Sequence, residues 1–91
     1  MPTQILAGGT GAANSSDVTV AAGESLTVCI KGSSAPNIPT GARIDVQIRD
    51  DVGAYWRIDS LSWANPAVVL SAGVYRLRRT ADSESCGAFS G

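Results

Sequence analysis

The sequence predicts an all-β domain, a small antiparallel β-sandwich of immunoglobulin-like or jelly-roll-like type, on three observations. Between Arg43 and Arg49, Ile44, Val46 and Ile48 alternate with Arg43, Asp45, Gln47 and Arg49, which is the period of an extended strand with one dry and one wet face. Similar short runs are separated by Gly, Pro and Ser turns at intervals of about ten residues, as in sandwiches and barrels. No segment repeats apolar residues at the spacing of an amphipathic helix.

Taken in order, Thr3 to Leu6 is a short apolar start. Ala7 to Ser16 is almost wholly Gly, Ala, Ser, Thr and Asn, too poor in apolar surface to order itself. Residues 1–16 are therefore expected to form a flexible N-terminal arm, whose removal should leave the fold intact. Asp17 to Ala21 alternates with Val18 and Val20 inward, Ala22-Gly23-Glu24 is a tight turn, and Ser25 to Lys31 alternates with Leu26, Val28 and Ile30 inward. The two runs read as a hairpin. Gly32 to Gly41, with Pro36 and Pro39, is a loop long enough to cross between sheets, with Ile38 tucked back.

After the strand at Arg43–Arg49, Asp50 to Gly53 turns into Ala54–Leu61. Strict alternation there puts Trp56 and Ile58 on one face and Tyr55, Arg57, Asp59 and Leu61 on the other. Trp56 is expected in the core and Trp63 over its end, because large aromatics supply much of the burial in a small sandwich. Ala67 to Leu70 is a short branched run, and Val74 to Arg79 alternates with Tyr75 and Leu77 inward and Arg76 and Arg78 outward. Gly73-Val74-Tyr75 has the form of a tyrosine corner, although Leu77 stands where an antibody domain has its cysteine. Residues 80–91 read as a polar C-terminal tail, with Phe89 either a local plug or an anchor in a neighbouring subunit.

The 91 residues make one domain, 1–91. A chain of this length buries only roughly 60% of its extended surface, so subunit partners are expected to help it. With 16% charged residues and a net charge of −1, no sustained attraction to phosphate backbones or anionic membranes is expected. The Met-Pro-Thr-Gln start has no basic segment and no signal-like apolar run, and no stretch has membrane-span length, so no signal peptide and cytoplasmic synthesis are expected, and with them free thiols at Cys29 and Cys86. Six of the seven basic residues are Arg. Either interface chemistry selects them, or a GC-rich genome raises Arg, Ala and Gly together.

The chain has no histidine, which removes the usual catalytic triads and the commonest metal ligand. Two isolated cysteines do not make a zinc site, and Asp50-Asp51 beside Gly53 reads as a charged turn rather than a calcium loop. Asp45 and Asp59, on adjacent strands, are a candidate carboxylate pair of the kind glycosidases require. Their alternation with Arg43, Arg49 and Arg57 is simpler to read as salt pairing. No catalytic residue, cofactor or metal is expected. Trp63 beside Tyr55 would make a sugar platform only if both were exposed together.

Four segments carry a resemblance: Thr3 to Ala13 (TQILAGGTGAA), Ser15 to Ser25 (SSDVTVAAGES), Gly73 to Arg79 (GVYRLRR) and Cys86 to Gly91 (CGAFSG). Together they resemble small virion proteins of tailed bacteriophages, from which the chain departs in its cysteines and its Pro loop. The resemblance implies a non-enzymatic decoration or cement protein on the outer capsid surface. It would bind the major capsid protein, reinforce contacts between capsomers and form a homo-oligomer, a trimer or dimer. A tail or fibre-base adaptor and a carbohydrate-binding module are the alternatives. The residues expected to carry the contacts are Arg43, Arg49, Arg57, Arg76 and Arg78 on the polar sheet face, with Ile5, Leu6 and Phe89 at the two ends.

Overall fold

The computed structural model describes residues 3–33 and 35–91. Met1 and Pro2 of the expected arm and Ser34 of the Pro loop lie outside the described residues. Among the described residues nine strands form: β1 (Thr3–Gly9), β2 (Ala13–Asn14), β3 (Val18–Val20), β4 (Leu26–Lys31), β5 (Arg43–Arg49), β6 (Tyr55–Ser62), β7 (Ala67–Leu70), β8 (Gly73–Arg79) and β9 (Cys86–Ser90). No helix occurs among the described residues, so none is long and apolar enough to cross a membrane.

The strands make two antiparallel sheets. One has the order β1-β9-β4-β7, the other β2-β8-β5-β6 with β3 also paired to β8. β2 and β3 are one edge strand broken at Ser15–Asp17. Ser15 bridges the break, its N–H donating to Leu77 O at 2.8 Å and its hydroxyl oxygen accepting from Leu77 N at 2.9 Å. Counted as one, they leave eight strands, and first pairs with last, second with seventh, third with sixth and fourth with fifth. That nested pairing, rolled into two facing sheets, is a jelly roll. It decides between the two sandwich types left open by the strand pattern.

Rolling explains why one expected hairpin does not form. β3 pairs with β8 and β4 with β7 and β9, so the turn at Ala21–Ser25 passes from one sheet to the other. The turn itself is as expected, closed by Glu24 N donating to Ala21 O at 3.0 Å. The long Pro loop also crosses between sheets, and Ile38 packs back against the core.

The chain ends depart most from the sequence reading, because both belong to the first sheet. β9 lies between β1 and β4, and Cys86, Gly87 and Ala88 are buried. Small residues are required there: a Cβ on Gly87 would lie 2.6 Å from Leu6 O. The N-terminal segment is held by Arg79, which is only 6% exposed. Its guanidinium donates to Gly11 O at 2.7 Å, Ala7 O at 3.0 Å and Cys86 O at 2.8 Å. Those bonds satisfy a buried charge with backbone carbonyls. The radius of gyration is 12.3 Å, close to the roughly 12 Å of a compact chain of this length without free ends.

The core consists of Leu6, Val20, Val28, Ile30, Ile44, Val46, Leu61, Leu70, Tyr75, Leu77 and the small Ala42, Cys86 and Ala88. The tyrosine corner is present, since the Tyr75 phenol donates to Ser71 O at 2.9 Å. Gly73 lets the ring approach, because a Cβ there would meet the phenol oxygen at 3.1 Å. Cys29 pairs with Phe89, and its neighbour Ile30 with Ala88. Cys29 therefore faces outward while Cys86 is buried within, and both are free thiols.

Trp56 is not a core residue; it is 61% exposed, and Trp63 is 60% exposed. The face of Trp56 is not the cause, because a β-bulge in β6 turns it to the core side. Val46 pairs with Asp59 but Gln47 with Arg57, leaving Ile58 without a partner on β5. One extra residue reverses the alternation beyond it. Trp56 then shares a side with Ile48, near the end of the strand, and its indole turns to the loop after β5, where Nε1 donates to Asp50 Oδ2 at 2.7 Å.

Candidate functional site

The outward face of the sheet containing β5, β6 and β8 gathers the charged residues that alternation leaves on its wet side. Arg43, Asp45, Gln47 and Arg49 come from β5, Tyr55 and Arg57 from β6, and Arg76 and Arg78 from β8. The ladder places Asp45 opposite Arg78, and Gln47 opposite both Arg76 and Arg57. All five sheet arginines expected from the sequence therefore stand on one face.

They are not equivalent. Arg43 Nε donates to Asp45 Oδ1 at 3.2 Å, and Arg49 Nη1 lies 3.6 Å from Asp17 Oδ2. Arg76 donates through Nε and Nη2 to Gln47 Oε1 at 2.9 and 2.7 Å, and its guanidinium carbon sits 3.8 Å from the centroid of the Tyr55 ring. The Tyr55 phenol in turn donates to Asp17 Oδ1 at 2.6 Å. Arg57 and Arg78 are exposed and form no ion pair among the described residues. Two carboxylates, Asp17 and Asp45, thus serve Arg49 and Arg43. Among the described residues, Arg76 has neutral partners only, and Arg57 and Arg78 have no ion-pair partner.

The hydrogen bond to Asp17 pushes the Tyr55 phenol above its ordinary value of 10.0, with desolvation and the Asp17 charge acting in the same sense. At the neighbouring turn, Asp50 Oδ2 accepts from Trp56 Nε1 at 2.7 Å, and Oδ1 accepts from Val52 N and Ala54 N at 2.9 and 2.8 Å. The indole bond is the largest influence holding the Asp50 carboxyl below 3.8, opposed by partial desolvation and helped by the backbone donors. With both oxygens occupied, Asp50 serves as a turn brace.

The three end residues fall elsewhere. Leu6 is 6% exposed and belongs to this chain's own core, so it offers no surface to a neighbour. Ile5 is half-buried at the cleft between β1 and β3, and half-buried Phe89 lines a cleft together with Pro36 and Ile38 of the crossing loop. Tyr55 and Trp63 do not form a platform of two free rings, because Arg76 covers one face of Tyr55. Asp45 pairs along its own strand, with Arg43, and Asp59 Oδ1 accepts from Asn65 Nδ2 at 3.3 Å.

Sequence reasoning missed the clasp of Tyr55, Asp17, Arg76 and Gln47. Nothing in the pattern signals a tyrosine reaching across a sheet. Arg79 was more accessible, because it shares the parity of Tyr75 and Leu77 and so had to point inward.

No protein-family model matches the sequence, and no curated protein matches it. Among solved structures, the fold is similar to the crystal structure of the SPBc2 prophage-derived protein YomS. The TM-score is 0.70 at 13% sequence identity, over 99% of this chain and 88% of that one. The likeness extends through both chain ends and is one of fold.

Proposed function

We propose that this chain is a non-enzymatic structural protein of a tailed-phage virion that decorates the outer capsid surface and ties neighbouring capsomers together. The observation that carries the reading is the end-to-end fold likeness to a prophage-derived protein, joined to the phage-type segments of the sequence. The jelly roll supports it by analogy of fold, being a common architecture of virus shells. A closed body with an arginine-rich flat face suits repeated docking on a lattice. Cryo-electron microscopy of the particle tests it directly. Density for a body of about 35 × 27 × 20 Å should recur on the outer shell, and its confinement to the tail would favour the adaptor reading.

A carbohydrate-binding module is the second reading, favoured by the exposed indoles of Trp56 and Trp63. Tryptophan fluorescence against a panel of soluble sugars distinguishes it: saturable quenching supports this reading, and a flat response removes it.

A further inference from the structure

We infer that the outward face of the β8-β5-β6 sheet docks on a carboxylate-rich surface of a larger protein assembly, through Arg57, Arg76 and Arg78. This deepens the virion reading and rests on it. The chain as a whole carries −1, yet among the described residues this face holds five guanidiniums against the paired carboxylates of Asp17 and Asp45. Those two are already committed to Arg49 and Arg43. Among the described residues, three positive charges remain without an ion-pair partner.

Their spacing is fixed by the sheet. Arg76 and Arg78 are two residues apart on β8, about 6.7 Å along a strand. Arg57 stands across Gln47 from Arg76, two strand spacings or about 9.6 Å away. Arg76 is held in place, its fork bonded to Gln47 and its plane stacked on Tyr55, so little freedom is lost when it meets an oxygen. Arg57 and Arg78, exposed on either side, supply planar donors suited to bidentate carboxylate contacts.

A flat triangle of three charges fits a patch of acidic side chains on another protein better than an extended polyanion. A nucleic acid running beyond the face would meet Asp50 and Asp51 at the turn after β5 and Asp59 on the edge strand β6. Asp17 and Tyr55 are positioning residues here: they hold the ring on which Arg76 rests.

The test is sedimentation of the purified chain with phage particles stripped of it, at low and high ionic strength. Wild-type chain should bind at low salt and release at high salt. R57E/R78E should weaken binding by roughly a hundredfold while keeping its melting temperature, and R57K/R78K should retain part of the affinity. Equal binding by wild type and R57E/R78E would overturn the docking face and leave the virion reading standing. No binding of the wild-type chain at any salt would overturn that reading, and the docking face with it. Binding to duplex DNA or RNA but not to particles, lost in the same variant, would assign the face to nucleic acid and overturn the inference.

Discussion

The phenol of Tyr55 donates to Asp17 Oδ1 at 2.6 Å, although Tyr55 begins one edge strand of its sheet and Asp17 leads into the other. The ring lies over the intervening strands and carries Arg76 on its face. The bond favours the protonated phenol, so the folded value is raised above 10.0. The resulting stabilisation is fully present below pH 10.0 and is lost as pH rises through the higher folded value. Ultraviolet difference titration of the folded chain should therefore show one tyrosine ionising late. Asp17→Asn should bring its titration down, and an unchanged titration curve in that variant would count against the clasp.

Asp50 and Trp56 give a second pH signal. Asp50 is held below 3.8, chiefly by the indole N–H. This stabilises the β5–β6 turn above pH 3.8 and is lost as pH falls through the lower folded value. Trp56 emission should change in a transition below pH 3.8, and Asp50→Asn should abolish that transition while leaving the exposed Trp63 signal in place.

Arg79 is the residue that joins the N-terminal segment to β9. Replacing it with Leu leaves the carbonyls of Ala7, Gly11 and Cys86 without their donor, at a cost of about 3 kcal/mol or more. Chemical denaturation should show that loss with little change in slope. Deleting 1–16 removes β1, β2 and the Ala7 and Gly11 acceptors together. That truncated chain should fail to fold, which reverses the expectation for a flexible arm.

Gly87→Ala probes the other end of the chain. The added methyl meets the backbone of β1 at Leu6 and Gly8, so the outer strand must move away from β9. A destabilisation of about 2 kcal/mol is expected, with hydrogen exchange quickening first in β1. A neutral substitution would contradict the central placement of β9.

How legible each part was depended on side-chain size and on regular alternation. The strand from Arg43 to Arg49 is readable because three branched residues alternate with four polar ones, and its face assignment survives intact in the structure. β6 is not, because the bulge at Ile58 reverses the parity between Leu61 and Trp56. β1 and β9 are hidden for a different reason. Gly and Ala give no apolar alternation to read, yet they are what close packing of β9 between two strands demands. The arginine face follows from alternation alone. Which arginines are neutralised depends on Asp17 and Tyr55, which only the folded sheet brings together.

The central claim is a place on the capsid shell, and copy number tests it most directly. Quantitative mass spectrometry of purified particles should find this chain in numbers of the same order as the major capsid protein. A handful of copies per particle would move it to the tail or a vertex, and complete absence from the particle would contradict the account.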